Sequence, residues 1–242
     1  MTAKTGNSFA IVQRDELTRA QTDEMFQLLA HHFEGVIRAQ FDQDLAEKNW
    51  VVLIHRDERL VGFSTLLVYE SSFEGEPVSV VYSGDTIVAP EAWGSMALSR
   101  GWITAVNQVR EHYPRGKYYW LLLTSGFRTY RFLPVFWREF YPRFDAETPA
   151  GMNKLRDHLA RERFGAQYDP RPGIVKFLRP QRLRGELKMV PEERMADQHI
   201  AHFLKLNPGH GEGEELVCLT ELCPENLTAA GRRMSSLQTC ES

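Results

Sequence analysis

Asp85 lies within an otherwise largely apolar run, Val80-Val81-Tyr82-Ser83-Gly84-Asp85-Thr86-Ile87-Val88. A carboxylate in such a strand is costly to bury without a partner or a function. Held there, it is suited to take a proton from an attacking ammonium, and a structural aspartate bonded to a neighbouring loop is the alternative. Ser83 has the same parity, so alternation along a strand predicts that both side chains share one face. Immediately downstream, Val88-Ala89-Pro90-Glu91 turns into Ala92-Trp93-Gly94-Ser95, a glycine-marked helix start. This order of strand, proline turn and helix presents backbone N–H groups to a phosphate or a thioester carrier, which makes Val88, Gly94 and Ser95 candidate donor-binding residues. A second cluster, Ser125, Arg128 and Thr129, follows the apolar run Tyr118 to Thr124. Two hydroxyls and a guanidinium at a strand end can bind an anion, where a helix cap with a surface arginine is the plainer reading.

The elements that must position these groups follow from periodicity. Phe9 to Gln13 reads as a strand, Asp15 as the N-cap of a helix reaching Phe33, and Val36 to Glu47 as a second helix. Trp50 to His55 and Leu60 to Val68 form a hairpin around Arg56-Asp57-Glu58-Arg59, followed by a loop over Ser71 to Pro77. Val78 to Val88 is a third long strand, Gly94 to His112 a helix, and Tyr118 to Thr124 a strand buried on both faces. Phe127 to Phe140 reads as a helix that Pro134 kinks or starts. Beyond it come a helix over Pro149 to Phe164, a strand over Gly173 to Phe177, a helix over Ala196 to Leu206, a strand over Glu215 to Leu219 and a fraying polar end after Glu225.

That element order, with Val88, Pro90, Glu91 and Gly94 in place, resembles the GNAT superfamily of acyl-group transferases over roughly Phe9 to Phe144. The resemblance implies an α+β fold: a mixed, mostly antiparallel central sheet flanked by helices, with a C-terminal extension. It divides the chain into an acyltransferase domain over residues 1–177 and an extension over 178–242 that packs on it. In the family, backbone N–H groups of this loop bind the pyrophosphate of coenzyme A, and others near Ile87 to Ala89 hold the thioester carbonyl. A tyrosine on the helix after the fifth strand often protonates the leaving thiolate. The nearest register here gives Phe136 or Trp137, which cannot act as acids and are expected to line the substrate site, with Tyr130 and Tyr141 as displaced candidates.

The loop departs from the family at three positions. Trp93 replaces the usual arginine, and Met96 and Leu98 replace small residues that let a phosphate approach. The resemblance then extends to GNAT-like enzymes that take acyl groups from acyl carrier protein, such as acyl-homoserine lactone synthases. Arginines over Arg128 to Arg143 or Arg171 to Arg184 would face such an acidic partner. The expected function is therefore an N-acyltransferase moving an acyl group from acyl carrier protein or coenzyme A to a small amine or amino acid, with no tightly bound cofactor. The alternative is a catalytically silent module that holds a lipid or protein segment in an apolar groove.

Bulk properties narrow the field. A net charge of −3 over 242 residues gives no reason to expect a nucleic-acid partner. Basic residues cluster over Lys176 to Lys188 and glutamates over His210 to Glu225, both expected as solvated faces. Cys218, Cys223 and Cys240 are too few for a disulfide framework, and no metal site is expected from them. The apolar runs are too short to span a membrane and the N-terminus lacks a signal-peptide pattern, so a cytoplasmic protein is expected. The aromatic and arginine-rich segment Arg131 to Phe144 leaves peripheral membrane contact open.

Overall fold

The computed structural model describes residues 6–235, so Cys240 and the last seven residues lie outside the described residues. Strand β1 (Asn7–Gln13) leads into helix α1 (Arg19–His32), the two-residue strand β2 (Phe33–Glu34) and helix α2 (Arg38–Ala46). Thr18, not Asp15, caps α1, because its hydroxyl accepts from the Gln21 amide while Gln21 returns a bond to the Thr18 amide.

Strands β3 (Trp50–Arg56), β4 (Arg59–Phe73) and β5 (Glu76–Val88) form an antiparallel meander. Asp57 and Glu58 both take left-handed φ, 49° and 69°, and make the first turn in two residues. The expected loop at Ser71 to Pro77 is instead hairpin: Ser71 pairs with Val78 and Phe73 with Glu76 around Glu74-Gly75. Its polar residues fall on a strand end that needs little burial, so their composition reads as loop.

Helix α3 (Ala97–Val109) carries the chain from β5 to β6 (Lys117–Thr124), and this crossover makes β5 and β6 parallel. The segment expected as one helix breaks into α4 (Phe127–Tyr130) and α5 (Phe132–Phe136). Pro134 is tolerated in the first turn of α5, and at Trp137 the backbone becomes extended and bridges Leu227.

Helix α6 (Ala150–Phe164) precedes the short strands β7 (Tyr168–Asp169), β8 (Ile174–Val175) and β9 (Arg182–Leu183), then α7 (Gln198–Leu206), β10 (Glu215–Glu221) and α8 (Ala229–Ser235). Helix α8 stands where a fraying end was expected, because Gly231 and Met234 are buried against the body of the fold. The large sheet runs β1-β3-β4-β5-β6-β10-β8-β7, antiparallel except at β5–β6, and β2 pairs separately with β9. The expected division at residue 177 falls before β10, which lies inside this sheet between β6 and β8.

One sheet face packs Trp120 against Trp102 of α3 and against Trp137, with Trp102 and Trp120 ring centres 4.1 Å apart. The other packs Tyr82, Leu121 and Val217 against Leu155 and Leu159 of α6. Helices α1 and α2 cover the β3–β4 end through Met25, Leu29 and Phe41.

Candidate functional site

The parallel strands separate before they end. Pairing of β5 with β6 runs from Val78–Lys117 to Ser83–Leu122, and from Gly84 onward β5 pairs with β4 alone. A bulge sits at the parting point: Gly84 and Asp85 together oppose the single residue Thr65 of β4. The bulge interrupts the alternation that would set Ser83 and Asp85 on one face. The Ser83 hydroxyl accepts from Trp120 Nε1 at 2.8 Å in the α3-side core, whereas Gly84 faces Lys48, whose Cε would lie 2.6 Å from a Cβ built there.

A cavity of about 1220 Å³ occupies the splay. Its wall draws on Trp102 and Trp120 from one sheet face and on Tyr82 and Phe164 from the other, so the cavity runs through the sheet rather than along it.

Charge collects on the α2 and α6 side. Asp85, Glu215, Lys48, Asp44 and Arg163 all line the cavity there. Lys48 is only 5% exposed; its ammonium donates to the Asp44 carbonyl oxygen at 2.9 Å and lies over the Tyr82 ring. Burial lowers the Lys48 pKa, and the Asp85 carboxylate opposes that shift. Burial holds Asp85 up at about 6, partly offset by Lys48 and reinforced by Asp44. Burial likewise pushes Glu215 up to about 8, with Asp85 adding to the shift. Arg163 pairs with Glu47 at the rim.

These shifts have a consequence for stability. In the unfolded chain the two carboxyls ionise near 3.8 and 4.5, whereas in the fold they hold their protons to about 6 and about 8. Their contribution to stability is complete below pH 4 and is lost as pH rises through 6 to 8. Glu215→Gln removes the cost of ionising Glu215, so the variant should equal wild type at pH 4 and exceed it at pH 9 by about 2 kcal/mol, discounted for solvent access. Thermal melts across that range would read about 4–8 °C in Tm; an equal difference at both pH values would contradict the assignment.

On the α3 side the wall is the turn from β5 into the helix. Trp93 folds back so that its Nε1 donates to the Val88 carbonyl oxygen at 2.9 Å, and the Arg128 guanidinium stacks 4.0 Å from its ring centre. Arg128 also donates to the Leu187 carbonyl oxygen. Gly94 borders open space, Met96 is largely exposed, and the Ser95 hydroxyl accepts from the Ala97 amide.

Residues 14–117 match the family model described as an acetyltransferase (GNAT) domain. This segment is similar to a GNAT domain and makes up less than half of the chain. Similar solved structures include a GCN5-related N-acetyltransferase from Kribbella flavida, 16% identical over 55% of this chain and 33% of that one, TM-score 0.41. Escherichia coli ElaA is 18% identical over 59% of this chain and 95% of its own, TM-score 0.40. An acyl-CoA N-acyltransferase from Pseudomonas aeruginosa is 16% identical over 50% and 80%, TM-score 0.37. The chain thus spans a third of the length of the Kribbella flavida protein. No curated protein matches the chain.

The matched segment supplies one arm of the splay, β5, and β6 begins where the match ends. Around the cavity the fold brings together Asp85, Ser83, Val88, Gly94, Ser95, Ser125, Arg128 and Phe136. Two expected site residues stand elsewhere. Tyr130 is fully buried against Phe203, donates its hydroxyl to the Pro142 carbonyl oxygen at 2.9 Å, and has its pKa pushed far up by burial. Trp137 packs edge-on to Trp102 and is absent from the cavity wall. Packing is the physical reason: Phe203 and the Pro142 carbonyl engage Tyr130, and Trp102 and Leu227 engage Trp137. The Ala89 amide, one of the expected carbonyl-holding groups, is already bonded to the Val61 carbonyl oxygen at 2.8 Å.

Glu215 and Lys48 were missed. Glu215 reads as one more acid in a solvated run, and only the pattern Glu215-Leu216-Val217-Cys218-Leu219 marks it as the first residue of a buried strand. Lys48 sits between α2 and β3 with nothing in its neighbours to announce burial.

No helix among the described residues is long and apolar enough to cross a membrane.

Proposed function

We propose that the protein is an N-acyltransferase that carries an acyl group from a pantetheine thioester, borne by coenzyme A or by a carrier protein, to an amine. The observation that carries this reading is Asp85, a carboxylate raised to about 6, standing at the splay of two parallel strands beside a cavity that reaches both sheet faces. The thioester arm enters from the α3 side and the amine from the α2 and α6 side. Along β5 the Ala89 amide points to β4, and alternation turns the Val88 N–H toward the open splay, where it polarises the thioester carbonyl.

The amine nitrogen attacks the thioester carbonyl carbon, and its proton passes to Asp85 as the C–N bond forms. The C–S bond then breaks, and the thiolate takes up a proton from water while Asp85 releases the one it accepted, so the carboxylate is restored and no proton is gained or lost overall. A base with a pKa near 6 is ionised at neutral pH and strong enough to accept that proton. The carboxylates of Asp44 and Asp85 offer acceptors to an incoming amine on this side of the cavity.

A thiol-release assay tests the reading. Acyl-coenzyme A and acyl-carrier-protein donors are supplied with a panel of polyamines, aminoglycosides and amino acids. Amine-dependent thiol release is expected; its absence with every donor and acceptor would favour the silent lipid- or peptide-binding module.

Trp93→Ala should tighten coenzyme A binding several-fold, measured calorimetrically, because it removes the ring folded across the turn and its stack with Arg128. Unchanged affinity would mean that the ring does not stand in the nucleotide's path.

A further inference from the structure

The cavity is apolar on one side of the sheet and charged on the other. Its volume, about 1220 Å³, is shared by the donor arm, the acceptor and the acyl group. Lys48, Asp85 and Glu215 gather on the α2 and α6 side of the sheet, while the opposite wall presents Leu98, Trp102, Trp120, Phe132 and Phe136, with Arg128 and Arg131 beside them. Trp102, Trp120 and Phe136 belong to the main hydrophobic core, at 2%, 2% and 7% exposure, and still face the cavity. The space therefore reaches inward between α3 and α5. Ser99, a polar residue in this wall, spends its hydroxyl on the Met96 carbonyl oxygen at 3.0 Å. A charged or strongly polar group placed there would lose its hydration for little return, whereas hydrocarbon would gain.

We propose that this branch is an acyl-chain site, and that the donor carries a long hydrocarbon chain rather than acetyl. The inference rests on the acyltransfer reading and specifies its donor. The branch is continuous with the space beside Asp85 and Val88, so a thioester carbonyl at the splay would direct its chain between α3 and α5. The pantetheine arm would leave past the turn at Trp93 to Ser95. This geometry is common to coenzyme A and carrier-protein donors, because both present the same arm.

The test is binding, which needs no knowledge of the acceptor. Acetyl, butanoyl, octanoyl and dodecanoyl thioesters of coenzyme A and of free pantetheine are titrated calorimetrically into the full chain. Affinity is expected to rise roughly fourfold per buried methylene from acetyl to octanoyl. Leu98→Trp fills the branch from its α3 wall and Val135→Trp from its rim, where Leu98 is half-buried and Val135 is 37% exposed, so both tolerate enlargement. Both variants, checked for unchanged melting, should flatten the dependence on chain length and leave acetyl binding within about twofold. Acetyl thioesters binding as tightly as octanoyl thioesters would overturn the chain site and leave the acyltransfer reading standing. A chain-length dependence that survives both substitutions would overturn the site as well. Failure of every thioester to bind would remove both readings together.

Discussion

Asp85→Asn is expected to lower kcat/KM by about 10²- to 10⁴-fold, the usual worth of a positioned general base, while Tm moves by no more than a few degrees. Asparagine keeps the volume and hydrogen-bonding capacity at the bulge and removes the ability to accept a proton. The wild-type rate should rise with pH through about 6, where Asp85 ionises, and the variant should lose that limb. Because the carboxylate opposes the lowering of the Lys48 pKa by burial, its removal should depress the lysine further. Lys48 also holds the Asp44 carbonyl oxygen, which keeps it seated in the variant. Comparable activity in the two proteins would take Asp85 out of the mechanism, and loss of activity with a large fall in Tm would make it structural.

Truncation after Phe177 should abolish folding. We propose that residues 6–235 fold as one unit, because the segment beyond Phe177 contributes β10 to the interior of the sheet. Leu216, Val217, Cys218 and Leu219 are all fully buried, and β10 pairs with β6 from Leu216–Thr124 to Glu221–Tyr119. Removing them costs the burial of several large side chains at about 2–5 kcal/mol each, more than the typical 5–15 kcal/mol that holds a domain together. It also bares one edge of β6, whose residues Tyr118 to Leu123 are buried on both faces, as a template for aggregation. The truncated chain should be insoluble or lack a cooperative melt. A soluble 1–177 fragment with a sharp thermal transition would show that the extension is a separate layer.

Much of the sheet was legible because its strands are long and apolar. Val51 to Ile54 and Tyr118 to Leu123 are buried throughout, and a run of that kind has few other ways to fold. Asp85 was legible for the complementary reason, as a charge with no cheap place in such a strand. What stayed hidden depended on contacts distant in sequence. The bulge at Gly84-Asp85 is a property of the register between β4 and β5, and it changes which residues Asp85 faces. Glu215 takes its surroundings from strands β5 and β8, neither near it in the chain. The helix expected over Phe127 to Phe140 has the right apolar content, but Trp137 is drawn into the aromatic cluster and toward Leu227, and no local signal reports that pull. Tyr130, a displaced candidate for the acid, is held by the same kind of distant contact, its hydroxyl donating to the Pro142 carbonyl oxygen.

The most direct measurement is a crystal structure with a stable ketone analogue of an acyl-coenzyme A, in which a methylene stands between the sulfur and the carbonyl. The account predicts the pantetheine arm in the splay between Gly84–Val88 and the end of β6, with the analogue's carbonyl oxygen about 3 Å from the Val88 amide and its carbonyl carbon open to an amine approaching past Asp85. An arm bound outside the splay, or a carbonyl on the face away from Asp85, would contradict it.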